Sequence, residues 1–321
     1  MIKREMEAEL KLLARQFPVV TVTGPRQSGK TTLCRKVFPK KTYVSLENHD
    51  LREFAVQDPR GFLRSVSDGA ILDEIQRAPQ LTSYIQTLVD ESPTPGRFIL
   101  PGSQQFEVSQ TVSQSLAGRT ALLKLLPFSQ AELGARRIPD DLDHLLLTGF
   151  YPRIHDRGLE PTKALADYFE TYVERDLRQL IQLRDLHLFE KFVKLCAGRV
   201  GQLLNLNSLA ADTGISHTTA RAWISLLEAS YIVFLLPPWF RNVSRRLVKS
   251  PKLYFIDVGL AAMLLGIETT DQMSRDPLRG HLFENFVIME ALKHRYNRGQ
   301  RSNLSFFRDA TGNEVDLILE Q

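Results

Sequence analysis

Short apolar runs alternate with helical patterns over the first 130 residues of the chain. The runs are PVVTVTG (18–24), TYVSLEN (42–48), GAILDEIQ (69–76), RFILPGS (97–103) and ALLKLLP (121–127). Several of them, such as AILDE, are apolar without strict alternation, which is typical of strands covered on both faces. The pattern predicts an α/β fold in which a parallel sheet lies between helices.

Beyond residue 130 the pattern becomes mainly helical. The stretch LNSLAADTGISHTTARAWISLLEAS (206–230) has the spacing of a helix-turn-helix, with Gly214 at the turn and Ser216 as the N-cap of the second helix. A strand-like YIVFLL follows, which favours a winged-helix unit. An α/β pattern returns near the end, where LSFFRDATGNEVDLIL indicates two strands around a polar turn.

Composition sets limits on partners and compartment. The 321 residues are 43% hydrophobic and 24% charged, which is ordinary for a globular protein, and the net charge of +4 is too small to demand a polyanionic partner. Cys34 and Cys196 form neither a disulfide framework nor a zinc motif, so we expect a reducing cytoplasm. The most apolar run, YIVFLLPPWF, is too short for a bilayer, and we expect no membrane association.

The run GPRQSGKTT after the first predicted strand matches G-x-x-x-x-G-K-[ST]. In this motif the glycines turn backbone N–H groups towards phosphate oxygens, the lysine charge meets the β/γ-phosphates, and the hydroxyl after it can bind Mg²⁺. The helix that follows adds its positive end. The predicted ATP-binding residues are Gly24, Pro25, Arg26, Gln27, Ser28, Gly29, Lys30, Thr31 and Thr32.

Two carboxylates follow the third apolar run. Asp73 and Glu74 come at its carboxyl end, and ligands of open α/β sheets bind at that edge. We expect Asp73 and Thr31 to hold Mg²⁺, and Glu74 to orient or deprotonate an attacking water. An exposed acidic strand end is the alternative for either carboxylate.

Two further polar residues are candidates for the same reaction, together with Lys30. Ser103 follows the fourth run and can contact the γ-phosphate or cap the next helix. Arg119 precedes the fifth run, and it can stabilise the leaving phosphate in its own or a neighbouring subunit, or form a surface ion pair. A homo-oligomer is therefore among the expected partners.

The segments GPRQSGKTTL, YVSLEN, ILDEIQRAPQL, FILPGSQQF and SLAGR resemble, in order and spacing, bacterial and archaeal AAA-like ATPases with a C-terminal domain of unknown function. KLYFIDVGLAAMLLG, GHLFENFVIMEAL and GNEVDLIL extend the resemblance over essentially the whole chain. The resemblance implies ATP binding. One departure is Pro101, which stands where a small polar residue is expected and weakens the role of Ser103.

DNA is a second candidate partner. If the helix-turn-helix reads DNA, its second helix offers Arg221 as a cation, and the basic stretch RNVSRRLVK adds Arg245 and Arg246. A single cation on the helix neutralises few DNA phosphates. Two alternatives therefore stay open: this unit is a spacer between domains, and the basic stretch is a solvated loop.

The last segment resembles the restriction-endonuclease-like nuclease fold. The resemblance implies that Glu284 and Asp316 stand at two of its metal-binding positions. The fold also needs an E-x-K pair on the next strand, and the chain reaches Gln321 before such a pair. Either the sequence is cut short or the natural protein has lost the strand. In both cases we expect an incomplete nuclease-like domain without nuclease activity, in which Glu284 and Asp316 are vestigial.

These patterns predict four regions: a P-loop ATPase core (1–130), a helical connector (131–184), a winged-helix-like unit (185–245) and a nuclease-like domain (246–321). The leading hypothesis is a Mg²⁺-dependent ATP hydrolase that couples nucleotide state to its C-terminal regions. The alternative is a DNA-binding regulator in which ATP acts as a switch ligand.

Overall fold

The computed structural model describes residues 2–102, 116–134, 141–172, 186–239, 250–309 and 312–320. The chain divides into two compact units. The first comprises Met1–Leu126 and Arg295–Arg301, and the second comprises Pro127–His294 and Ser302–Gln321. The four-region division predicted above stays a prediction.

A parallel sheet is the centre of the first unit. Its strands in the described residues are β1 (Val19–Thr23), β2 (Thr42–Ser45), β3 (Ala70–Asp73), β4 (Phe98–Pro101) and β5 (Thr120–Lys124). Their order across the sheet is β2-β3-β4-β1-β5, and every pairing is parallel. The predicted α/β class is therefore confirmed, and each apolar run overlaps one of these strands.

Hydrophobic cores cover both faces of this sheet. Successive residues of a strand point to opposite faces, so Val19 packs in one core cluster and Val20 in the other. Leu72 and Ile71 divide in the same way on β3. All of β1 is buried, and this two-sided burial explains why its sequence shows no polar alternation.

Helices supply the other half of each core. They are α1 (Glu7–Leu13), α2 (Lys30–Val37), α3 (His49–Gln57), α4 (Pro59–Ser65) and α5 (Leu81–Glu91). Met6 and Leu10 are four residues apart, which places them on one face of a helix, and both are completely buried in the cluster that also contains Leu33 of α2.

Most elements of the second unit are helices. They are α6 (Gln130–Leu133), α7 (Leu142–Thr148), α8 (Pro152–Arg157), α9 (Pro161–Tyr168), α10 (Leu186–Ala197), α11 (Leu206–Thr213), α12 (His217–Ala229), α13 (Val258–Leu264), α14 (Thr270–Arg275) and α15 (Arg279–Tyr296). In the part of the chain that the structure describes, no helix combines the length and apolarity needed to span a bilayer.

Two antiparallel strand pairs complete this unit. β6 (Val233–Leu236) pairs with β7 (Lys252–Phe255), and β8 (Leu304–Arg308) pairs with β9 (Glu314–Leu319). The last pair has the predicted form of two strands around a polar turn. β7 carries Lys252 at its first position, which matters for the site below.

Candidate functional site

The phosphate loop runs between the end of β1 at Thr23 and the start of α2 at Lys30. Gly24 has φ +149°, and a Cβ there would come within 2.1 Å of the Leu125 carbonyl oxygen, so only glycine fits. Gly29 caps α2 in the left-handed region at φ +89°. The two glycines of the motif thus set the path of the loop and the position of the first helical turn.

Lys30 is buried under this loop, with 6% of its surface exposed. Its Nζ donates to the carbonyl oxygens of Gly24 at 3.0 Å and Pro25 at 2.7 Å. Burial lowers the pKa of Lys30 to about 8, although the nearby carboxylates of Glu74 and Asp73 partly oppose the shift. A buried cation whose hydrogen-bond partners are neutral carbonyl groups is well placed to bind an anion.

Asp73 lies at the end of β3 with 6% of its surface exposed. Its Oδ2 accepts a hydrogen bond from Thr31 Oγ1 at 2.8 Å and another from Tyr43 Oη at 2.8 Å. Burial raises the pKa of Asp73, while these two hydrogen bonds act in the opposite direction. The structure therefore joins the Thr31 hydroxyl to the carboxylate that sequence reasoning paired with it.

Hard oxygen ligands of this kind suit Mg²⁺, which is usually bound by one or two carboxylates together with substrate phosphates. Among the described residues, no cluster of three or more His, Cys, Asp or Glu side chains has the geometry of a metal site. Thr31 and Asp73 thus fit a metal that also takes ligands from a nucleotide.

Glu74 follows directly and occupies an uncommon backbone conformation. Its φ of 56° lies in the left-handed region, which non-glycine residues rarely adopt. Its backbone N–H donates to the Pro101 carbonyl oxygen at 3.1 Å, and its carboxylate accepts a hydrogen bond from Gln76. The hydrogen bond to β4 helps to hold this turn, so the strained backbone of a candidate catalytic residue is maintained.

Arg119 lies at the amino-terminal ends of the strands, whereas the phosphate loop lies at their carboxyl ends. It precedes β5, and its carbonyl oxygen accepts a hydrogen bond from the first residue of β1, Val19. The guanidinium pairs with Asp90, with Nε to Oδ1 at 2.5 Å and Nη2 to Oδ2 at 2.9 Å. Within its own unit, Arg119 is therefore in a surface ion pair and not beside the loop. Ser103 lies outside the described residues.

The helix-turn-helix pattern corresponds to α11 and α12, which are joined at Gly214, with φ +89°. Ser216 Oγ accepts a hydrogen bond from the Thr219 N–H at 3.0 Å and caps α12 as predicted. Ala220 and Trp223 are buried, whereas Arg221 is exposed. Arg245 and Arg246 lie outside the described residues.

Glu284 and Asp316 meet around a lysine that sequence reasoning missed. Lys252 Nζ is 3.0 Å from Glu284 Oε1 and 2.8 Å from Asp316 Oδ1, and it also pairs with Glu314. Burial lowers the pKa of Lys252, but the hydrogen bonds to these carboxylates outweigh it and raise the pKa above its ordinary value. We call these four residues the Lys252 cluster.

A signal for this lysine exists in the sequence. Lys252 and Tyr254 alternate with apolar residues in KLYF, so both point to one face of β7, and Tyr254 donates a hydrogen bond to Glu284. The resembled nuclease motif places its lysine after the acidic residue, whereas Lys252 precedes Asp316 in the chain. Tyr43 was missed for another reason, because its proximity to Asp73 depends on the order of strands in the sheet.

Comparison with protein families gives three matches along the chain. An AAA domain matches residues 16–134, and a domain of unknown function (DUF8612) matches residues 139–271. A further domain of unknown function (DUF4143) matches residues 279–321. The AAA match contains the phosphate loop, Asp73 and Glu74.

Two relatives and one solved structure are similar to this chain over most of its length. The uncharacterized proteins Mb2031c of Mycobacterium bovis and Rv2008c of Mycobacterium tuberculosis are each 35% identical over 325 residues, covering 99% of this chain and 71% of the relative. The Walker-type ATPase PABY2304 of Pyrococcus abyssi has a similar fold, with a TM-score of 0.53 at 14% identity. That match covers 81% of this chain and 94% of the other.

Proposed function

Because this chain belongs to the family of AAA-like P-loop ATPases, we propose that it binds ATP with Mg²⁺ at the phosphate loop and hydrolyses it to ADP and phosphate. The observation that carries the proposal is the contact between Thr31 and Asp73 beside the buried Lys30. It joins a hydroxyl and a carboxylate, both suited to Mg²⁺, to a cation suited to phosphate.

The loop and Lys30 would bind the phosphates of ATP. Lys30 Nζ donates to two loop carbonyl groups, and it would exchange these neutral partners for a phosphate oxygen when ATP binds. The N–H groups at the start of α2 add a favourable partial positive charge. Charge-assisted bonds to phosphate are stronger than the neutral bonds they replace.

Thr31 and Asp73 would hold Mg²⁺. When bound, the metal neutralises charge that develops on the phosphate oxygens. Asp73 is buried and has two hydrogen-bond donors on one oxygen, which restricts the orientation of its carboxylate.

Glu74 would orient or deprotonate the attacking water. It follows the metal-binding Asp73 by one residue, and its left-handed backbone directs the two side chains differently from neighbours on a regular strand. Gln76 donates to one oxygen of this carboxylate, Oε2, and the carboxylate has further lone pairs that can accept a hydrogen bond from water.

Two variants test the proposal. We expect Lys30→Ala to lose ATP binding, measured by titration with a fluorescent ATP analogue. We expect Glu74→Gln to bind ATP normally and to hydrolyse it about 100-fold more slowly or worse, because general-base catalysis is typically worth that much. Glu91→Gln, an exposed position at the end of α5, is the matched control. Normal turnover by Glu74→Gln would refute the assignment of Glu74.

We also propose that the state of the bound nucleotide is coupled to the conformation of the residues beyond 130. We propose the cytoplasm as the location of the protein. Both families of unknown function lie in this region, and the mycobacterial relatives match 99% of the chain. Hydrogen exchange of α11 and α12, compared with and without ATP, tests the coupling; identical exchange would argue against it.

A DNA-binding regulator is the second candidate. The observation that favours it is the outward face of α12, where His217, Thr218 and Arg221 are exposed. If this candidate is right, the affinity for duplex DNA falls steeply with salt. It also weakens in Arg221→Ala and in the Arg245→Ala/Arg246→Ala variant. Arg60→Ala is the control and should bind DNA as the wild type does. The absence of any mobility shift at low salt would remove this candidate.

A further inference from the structure

Tyr43 contacts the proposed metal-binding carboxylate, although no motif includes it. It lies on β2, which pairs with β3 in parallel register, with Tyr43 opposite Ile71 and Ser45 opposite Asp73. Tyr43 thus points to the same face as Asp73 but one pleat earlier, and a long side chain spans that distance. Its Oη reaches Asp73 Oδ2 at 2.8 Å.

We propose that Tyr43 is a positioning residue that orients Asp73 for metal binding at the phosphate loop. The inference rests on the proposed function, since it assigns a role to a neighbour of the proposed Mg²⁺ ligand. Partners that orient a metal ligand commonly change metal affinity 10- to 100-fold, about as much as weak ligands themselves.

The surroundings of Tyr43 hold its ring in place. The ring packs against the core cluster that also contains Leu33, Cys34 and Ile71. The Arg35 guanidinium lies over the ring, with its Cζ 4.7 Å from the ring centroid. A ring packed on one side and covered by a cation on the other offers its hydroxyl from a defined direction.

The direction of the hydrogen bond is also defined. An ionised carboxylate can only accept a hydrogen bond, whereas a phenol carries an O–H, so Tyr43 Oη donates to Asp73 Oδ2. A neutral donor holds Asp73 without competing for its charge as a lysine or arginine would.

Thr31 and Tyr43 reach Asp73 from different elements. Both donate to Asp73 Oδ2, and Oδ1 accepts from neither of them. The Thr31 hydroxyl is itself a proposed metal ligand through an oxygen lone pair, and its O–H can donate to Asp73 at the same time. Tyr43 approaches from β2, away from the loop, so its bond orients Asp73 without occupying the phosphate site.

The test is Tyr43→Phe, which keeps the ring and its contact with Arg35 but removes the hydroxyl. The probe is a fluorescent, non-hydrolysable ATP analogue, titrated in EDTA and over a range of Mg²⁺ concentrations. We expect affinity in EDTA to match the wild type, and the Mg²⁺ concentration for half-maximal tightening to rise by about tenfold. Tyr84→Phe, a half-buried tyrosine on α5, is the matched control.

A double-mutant cycle separates positioning from a purely structural role. If Tyr43 acts through Asp73, Tyr43→Phe has no further effect on Mg²⁺ dependence in an Asp73→Asn background, because the two effects are then not additive. A thermal melt of each variant confirms folding. Equal Mg²⁺ dependence in Tyr43→Phe and wild type would overturn the inference, as would an equal loss of affinity in EDTA.

The same titration distinguishes failure of this inference from failure of the proposed function. If wild type itself binds the analogue without any effect of Mg²⁺, or does not bind it, the proposed Mg-ATP site is wrong. If wild type is Mg²⁺-dependent and Tyr43→Phe behaves identically, only the role of Tyr43 is wrong.

Discussion

Two lysines, one in each unit, are buried to a similar degree but have different partners. Lys30 is 6% exposed and donates to two neutral carbonyl groups, whereas Lys252 is 2% exposed and contacts three carboxylates. Their pKa values move in opposite directions: burial dominates at Lys30 and lowers its pKa, and hydrogen bonds to acids dominate at Lys252 and raise its pKa.

The difference is the basis for proposing Lys30 as a binding cation and Lys252 as a structural one. A buried ammonium whose hydrogen-bond partners are neutral keeps a charge that the nearby carboxylates of Glu74 and Asp73 compensate only in part, and an anionic ligand can stabilise it. A buried ammonium among carboxylates is already compensated, and the carboxylates depend on it as much as it depends on them. Burial of a lysine therefore says little about function until the charges of its partners are known.

The sharpest way to break the comparison is Lys252→Met. It leaves Glu284, Glu314 and Asp316 without their shared cation, and removal of one partner from a buried ion pair costs about 3–5 kcal/mol. Because the Asp316 side chain is 58% exposed and solvent screens it, we expect the free energy of unfolding to fall by about 2–4 kcal/mol. Urea denaturation measures it.

Partial neutralisation of the acids provides the control for that variant. In the Lys252→Met background, Glu284→Gln neutralises the least exposed of the three carboxylates and should restore part of the lost stability. If Lys252→Met is as stable as the wild type, or if Glu284→Gln destabilises it further, the Lys252 cluster is not held by charge compensation.

The same substitution at Lys30 should act in the opposite direction on stability. Methionine has a similar length and removes a charge that burial disfavours, so we expect the free energy of unfolding without nucleotide to rise by about 1 kcal/mol. Affinity for ATP should fall on the order of 100-fold, since a bond to a charged group is worth up to 3 kcal/mol.

Denaturation without nucleotide and titration with an ATP analogue measure the two effects of Lys30→Met separately. A variant that is less stable and binds ATP normally would reverse the assignment of Lys30 as a binding cation. Loss of both properties would indicate that the two carbonyl groups depend on the lysine for their hydrogen bonds.

The smallest effect is expected at Arg119→Ala. The Arg119–Asp90 pair is at the surface and far from the loop edge of the sheet, and exposed pairs contribute little to stability. We expect neither melting temperature nor ATP turnover to change measurably in dilute protein. A fall in turnover that appears only at concentrations where gel filtration detects an oligomer would instead indicate action in a neighbouring subunit.

The place of Arg119 relative to the phosphate loop was readable from the sequence. In a parallel sheet all strands run in the same direction. A residue that precedes one strand therefore lies at the opposite end of the strands from a loop that follows another strand. Arg119 precedes β5 and the phosphate loop follows β1, so their separation follows from strand direction alone. Lys252 was also visible in the alternation of KLYF, but its partners come from α15 and β9.

The sequence by itself determined the phosphate loop, the strands around it, the acidic strand end at Asp73 and the cap at Ser216. Glycine tolerance, capping and periodicity act over a few neighbouring residues, so they can be read along the chain. Only the tertiary structure decided that β2 lies beside β3 and that β7 faces α15 and β9. Those choices bring together Tyr43 with Asp73, 30 residues apart, and Lys252 with Asp316, 64 residues apart, through pairing and packing that no local pattern encodes.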